Sequence, residues 1–232
     1  MLVGIIGAMQ VEVDNLVARM DHKVVEKISL INFYRGTLDD YEVVIAACGP
    51  GKVNAALCAQ AMIITYGPDI VINTGVAGGL SPKLHVGDCV VATSVVQYDM
   101  DTTAVGDPIG MISGLNVVEF PSDEHVMQAL VASLKSMDTV TYHQGMIATG
   151  DKFLTSREEK AKILENFDAL AVDMESGSIG HVCFSNKKPF GIIRSISDNA
   201  NDESVVDFFQ FLDEAAGRAA EAVRLFLQKI QK

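Results

Sequence analysis

The chain predicts an α/β fold: a single domain over residues 1–232, with a central twisted mixed β-sheet flanked by helices. Three observations carry this. Short runs rich in valine and isoleucine alternate with helix-period segments almost throughout. The strand-like runs "INFYRGTL" and "YEVVIAAC" flank Asp39-Asp40 and read as a hairpin, so the sheet is not wholly parallel. No linker, low-complexity run or internal repeat interrupts the 232 residues.

The elements follow in order. "LVGIIGAM" is a buried strand, and the next helix places Val13, Leu16, Val17 and Met20 on one face. After the hairpin, "GKVNAALCAQAMIITYG" is a helix with Val53, Leu57, Ala61 and Ile64 in register, closed by Gly67-Pro68. "DIVINTG" and "DCVVATSVV" are buried strands, and the glycine-rich stretch from Tyr98 to Pro121 reads as a long loop. Helices follow at "EHVMQALVASLKSM" and "SREEKAKILENF", the second opened by a Ser156-x-x-Glu159 capping box. "YHQGMIATG", "ALAVDME" and "FGIIRSIS" are strands. The last helix turns Leu212, Ala215, Ala219, Ala222, Val223, Phe226 and Ile230 inward.

A net charge of -12 repels phosphate backbones, which argues against a nucleic-acid partner. There is no basic amphipathic helix to suggest a membrane surface, and no apolar run of transmembrane length. The apolar start lacks a positively charged leader and reads as a strand, not a signal peptide. Cys48, Cys58, Cys89 and Cys183 are scattered without a CxxC and read as reduced core thiols. His181-Val-Cys183 lacks a second ligand pair for a metal. The expectation is a soluble cytoplasmic protein.

Ligands in open α/β sheets bind beyond the carboxyl ends of the strands. Glu12, the loop "TGVAGG", "DKFL" with Phe153, Glu175 and Asp198 all fall there, and Arg194 lies on the last strand. Each has a plainer reading. Glu12 could be a first-turn acid favoured by the helix dipole, and Asp198 a turn residue. Arg194 could be a structural ion-pair partner, "TGVAGG" a tight turn, and Phe153 a core residue. Asp173 and Glu175, two apart in "AVDMESGS", would share a face of an extended strand and need partners there. Asp173 reads as structural, satisfied by backbone amides. The convergence of these residues is what points to an active site.

"GIIGAMQVEV", "GPGKVNAA", "VINTGVAGGL", "VGDCVVA", "TGDKFL", "VDMESG" and "IRSISDNAN" occur in this order. With these motifs the chain resembles, nearly end to end, the bacterial methylthioadenosine/adenosylhomocysteine nucleosidases of the purine nucleoside phosphorylase-like family. The resemblance implies hydrolysis of an N-glycosidic bond, with adenine and a 5'-substituted ribose as products. It implies no metal or organic cofactor. Asp198 would donate to adenine N7 as the acid, with a pKa raised by desolvation. Glu12 would take the proton of the attacking water, a division seen in inverting glycoside hydrolysis. Glu175 would accept from the ribose hydroxyls and favour an oxocarbenium-like transition state.

By the same resemblance Met9 and Met174 would pack on the sugar, Phe153 would face adenine, and the Leu154 backbone would read the base edge. Gly78 would let the backbone approach the nucleoside. Ser197 and Arg194 would hold the Asp198 loop and a nearby water, and Phe208 would close the pocket over the 5' substituent. Arg194 is the sole basic residue assigned to the pocket, and Glu12 would repel phosphate, so hydrolysis is expected over phosphorolysis. Val76 stands where many relatives carry serine, and Val105 where an aromatic often occurs. The loop Asp101–Val105 is implied to reach the neighbouring site of a homodimer. A futalosine-type hydrolase, a phosphorylase and a non-catalytic nucleoside-binding protein are the competing readings.

Overall fold

The computed structural model describes residues 1–200 and 204–230, and the last residue of the "IRSISDNAN" motif lies outside them. The elements run β1 (Val3–Gly7), α1 (Gln10–Ala18), β2 (Asp21–Ile28), β3 (Ile31–Leu38), β4 (Tyr41–Ala47), α2 (Lys52–Tyr66), β5 (Ile70–Gly79) and β6 (Cys89–Gln97). A single 3₁₀ turn at Thr103–Val105 precedes β7 (Glu119–Pro121), α3 (Glu124–Lys135), β8 (Tyr142–Thr149) and α4 (Arg157–Phe167). Then come β9 (Ala171–Asp173), α5 (Ser176–Ser185), β10 (Phe190–Asp198) and α6 (Ser204–Leu227).

All ten strands join one mixed sheet in the order β10-β6-β8-β9-β5-β1-β4-β3-β2, with β7 on β6. β10 pairs with β6 in antiparallel fashion and with β5 in parallel fashion, so β5, β9, β8, β6 and β10 close into a ring. β1 pairs parallel to β5 and β4, and the predicted hairpin is β3–β4, with Leu38 opposite Tyr41. Strand interiors facing both layers are valine- and isoleucine-rich, as a doubly covered sheet requires.

Three expectations change. β2 was not foreseen, because seven of its eight residues are exposed and "DHKVVEKI" carries no buried face. The segment from Tyr98 to Pro121 ends in β7, where Phe120 is fully buried. Helix α2 buries Ala55, Cys58, Ala59, Met62 and Ile63. Of the face expected to be inward, only Ala61 is buried, while Val53, Leu57 and Ile64 are 69%, 50% and 71% exposed. The helix is apolar nearly all round, so periodicity alone did not choose its inner face.

Candidate active site

One cavity lies where β5, β9 and β10 meet the segments that follow β1, β4 and β8. Its lining includes Met9, Glu12, Val76, Gly78, Phe153, Leu154, Met174, Glu175, Ser197, Asp198 and Phe208. Arg194 is the one predicted site residue behind the wall, fully buried.

Glu12 sits in the first turn of α1, and Met9 caps that helix. One carboxylate oxygen accepts from the Ala8 and Met9 amides at 2.6 and 2.8 Å, and the other from the Val76 amide at 3.0 Å. It is buried, so the reading of Glu12 as a solvated first-turn acid does not hold. Burial raises its pKa, opposed by the charge of Arg194 and by the three amides. This packing needs Gly75: a Cβ there would collide with Glu12 Oε1 and Arg194 Nη1, and its φ of 152° also suits glycine.

Glu175 has left the strand. With φ -133° and ψ -39° it is the N-cap of α5, so strand alternation does not align it with Asp173. The two acids instead share a partner. Arg194 Nη2 lies 2.7 Å from Asp173 Oδ2 and 3.4 Å from Glu175 Oε2, and donates to Asn73 Oδ1 at 2.7 Å. Asp173 also accepts from Thr149 Oγ1 and the Ser176 hydroxyl. Its partners are thus side chains at least as much as the amides expected from sequence. Arg194 therefore braces Asp173 and Glu175, and the expectation that it holds the Asp198 loop is corrected, since these two carboxylates claim its guanidinium. Glu175 Oε1 accepts from the Gly51 amide, just before α2, at 2.9 Å. Burial raises the Glu175 pKa to about 7, with Arg194 pulling it down and Asp173 pushing it up.

Asp198 closes β10. Its carboxylate accepts from the Ala200 amide at 2.8 Å and from Ser197 Oγ at 3.0 Å. Burial again raises the pKa, opposed by Ala200, Ser197 and Ser204. Gly78 borders it: a Cβ would stand 3.0 Å from Asp198 Oδ1. Phe153 and Phe208 meet edge to face at 5.3 Å across the mouth, joining the "DKFL" loop to α6.

Sequence reasoning missed several members. Pro50 and Lys152 line the cavity, and both lie inside motifs already singled out. Lys152 is thus a second basic residue at the site, paired with Glu159 at 2.5 Å. Asn73, a polar residue in the apolar run of β5, was the available signal for the buried Arg194 network. His181 hydrogen-bonds Gln97 at 3.2 Å and stacks on Phe120, and all four cysteines are buried and free. Among the described residues no cluster of three His, Cys, Asp or Glu side chains could hold a metal, and no helix is long and apolar enough to cross a membrane.

Residues 2–228 match the phosphorylase superfamily. A 5'-methylthioadenosine/S-adenosylhomocysteine nucleosidase of Anoxybacillus flavithermus is 39% identical, with both chains covered in full. The Neisseria meningitidis nucleosidase of that name, solved with methylthio-immucillin-A, superposes with a TM-score of 0.95 at 35% identity over 98% of each chain. The Colwellia psychrerythraea nucleosidase, solved with adenine, gives 0.96 at 37% identity over 99% of this chain and 96% of that one. The Helicobacter pylori futalosine hydrolase gives 0.93 at 30% identity, over 98% and 97%. With its fold, its cavity and these relatives in agreement, the chain belongs to the 5'-methylthioadenosine/S-adenosylhomocysteine nucleosidases of the phosphorylase superfamily, a family of N-glycosyl hydrolases.

Proposed function

We propose that this protein hydrolyses the N-glycosidic bond of 5'-methylthioadenosine and S-adenosylhomocysteine, and of 5'-deoxyadenosine, releasing adenine and the 5'-substituted ribose. One observation carries the reading: four buried carboxylates line a single apolar cavity, and of these Glu12, Glu175 and Asp198 each have distinct surroundings while Asp173 shares Arg194 with Glu175. A binding protein has no use for an acid and a base in one pocket.

The chemistry divides among them. Asp198, whose raised pKa favours the protonated form, gives its proton to adenine N7 as the C–N bond breaks and its electron pair moves to the base. Glu12, fixed by three amides, takes a proton from the water that adds to the anomeric carbon. Glu175, braced by Arg194 and the Gly51 amide, accepts from the ribose hydroxyls, and those donors favour its charged form. Its charge opposes the positive charge developing on the sugar. Met9 and Met174 wall the sugar, Phe153 and Leu154 the base, and Phe208 the 5' substituent. Val76 offers no hydroxyl to a water, but its amide holds Glu12.

We place the activity in the cytoplasm, in methionine salvage and the clearing of S-adenosylmethionine by-products, and the protein as a homodimer. Val53, Leu57 and Ile64 form an exposed apolar stripe on α2 that suits a second copy, with Val105, 80% exposed, on the loop that would reach the neighbouring pocket. A futalosine-type substrate is the second reading, favoured by the similar H. pylori hydrolase.

The test is adenine release from methylthioadenosine in phosphate-free buffer, with phosphate added in parallel. Release independent of phosphate is expected. Release that needs phosphate contradicts the hydrolytic reading, and release only from futalosine moves the assignment to the second one.

A further inference from the structure

Helix α4 lines no part of the cavity, yet its first turns hold two segments that do, the Lys152–Leu154 loop and the end of β10 at Asp198. Glu159 holds Lys152, next to Phe153 and Leu154. One residue on, Lys160 Nζ donates to the Gly79 carbonyl at 2.9 Å and to the Asn199 carbonyl at 2.8 Å. Gly79 follows the glycine that borders Asp198, and Asn199 follows Asp198 itself. A long flexible ammonium is thus committed to two backbone acceptors, one on each side of the acid.

We infer that Lys160 is a positioning residue for Asp198, pinning the acid's loop to the Gly78–Gly79 edge so that the carboxyl meets the base in reacting geometry. The inference rests on the role given to Asp198 above. Removing the ammonium leaves both carbonyls without this donor and frees the loop to shift, and a misplacement of about 1 Å can cost on the order of a hundredfold in rate.

A second consequence concerns charge. Burial lowers the Lys160 pKa, and the Asp198 charge works against that loss, while Arg157, three residues back, adds to it. Such coupling is reciprocal, so the ammonium favours the carboxylate of Asp198. The other described groups facing Asp198 are Ser197 on its own strand, the Ala200 amide, and Ser204 and Asp207 on α6, of which Asp207 favours the protonated acid. Taking away the Lys160 charge therefore moves the alkaline limb of kcat/KM, where the acid loses its proton, to higher pH.

The experiment is the pH profile of adenine release for the wild type, Lys160→Met, Lys160→Gln and Lys160→Arg, with a melting temperature for each. Lys160→Met is expected to lose roughly tenfold to a hundredfold in kcat, with KM changed less and the alkaline limb raised. Lys160→Gln, which keeps a donor without charge, shows the same limb at a smaller loss. Lys160→Arg returns the limb to its wild-type position. Wild-type kcat and limb in a folded Lys160→Met overturn the inference. So does a loss with an unmoved limb that follows the melting temperature alone. A wild type that releases no adenine overturns the reading of the site and this inference with it, which separates the two failures.

Discussion

At the scale of single residues, the site depends on how backbone amides, hydroxyls and one arginine tolerate four buried acids, Glu12, Asp173, Glu175 and Asp198. A buried carboxylate without partners costs several kcal/mol, so each has been given its own set of donors. Glu12 takes three amides, Asp198 an amide and the hydroxyls of Ser197 and Ser204, Glu175 an amide and a guanidinium, and Asp173 the same guanidinium with two hydroxyls. The account predicts that Asp198→Asn lowers kcat for adenine release by roughly 10²–10⁴-fold while leaving methylthioadenosine binding measurable by calorimetry. Loss of binding in equal measure would argue for a structural role. Gly75→Ala should be costly without touching substrate, because its methyl meets Glu12 and Arg194 together. A loss of about 1–3 kcal/mol in urea unfolding is expected, the range for overpacking. A neutral substitution would mean that the packing there is looser than described.

At the scale of elements, α2 and α4 are the two whose roles sequence periodicity did not disclose. Helix α2 offers apolar residues on both faces, and its inner face was chosen by β1, β4 and α5, which a local pattern does not record. The stripe left outside predicts association. Leu57→Glu should convert the protein to monomer in sedimentation, with activity reduced because the Val105 loop no longer completes the partner's pocket. A wild type that is monomeric at micromolar concentration would remove that proposal. Strand β2 illustrates the opposite failure: seven of its eight residues are exposed, Val24 and Val25 among them, and it is defined by pairing with β3 alone. By contrast β1, the β3–β4 hairpin, β5, β6, β8 and β10 were legible, because buried strands are read from apolar runs and the turns between them.

At the scale of the whole molecule, the ring of β5, β9, β8, β6 and β10 brings Val76, Gly78, Asp173 and Asp198, far apart in sequence, to one cavity. Ring closure was not legible, since the double pairing of β10 has no local signature. The pocket residues were legible all the same, because strand ends are local features and each carried a recognisable motif. Arg194 was misplaced for the same reason: its position in "IRSISD" lies near Asp198 in sequence, but its partners Asn73, Asp173 and Glu175 come from other segments.

Burying acids also sets how stability depends on pH. Glu12, Glu175 and Asp198 all have raised pKa values, so the folded state binds protons that the unfolded chain releases. Their contribution is complete below the unfolded value, 4.5 for a glutamate, and is lost as pH rises through the folded value, about 7 for Glu175. His181, whose pKa burial lowers, acts in the opposite sense up to the ordinary histidine value of about 6.5. The melting temperature of the substrate-free protein should therefore fall between about pH 6.5 and about pH 8, and Glu175→Gln should flatten the fall. A wild-type profile that rises over that window contradicts the assignment.

The proposed chemistry has an acid, Asp198, and a base, Glu12, in one pocket cleave a nucleoside with water. Its most direct measurement is adenine release from methylthioadenosine, without phosphate, by the wild type, Glu12→Gln and Asp198→Asn under identical conditions. The account predicts turnover by the wild type and a loss of at least about a hundredfold in each variant, with substrate still bound. Turnover at the wild-type rate in either variant would contradict it.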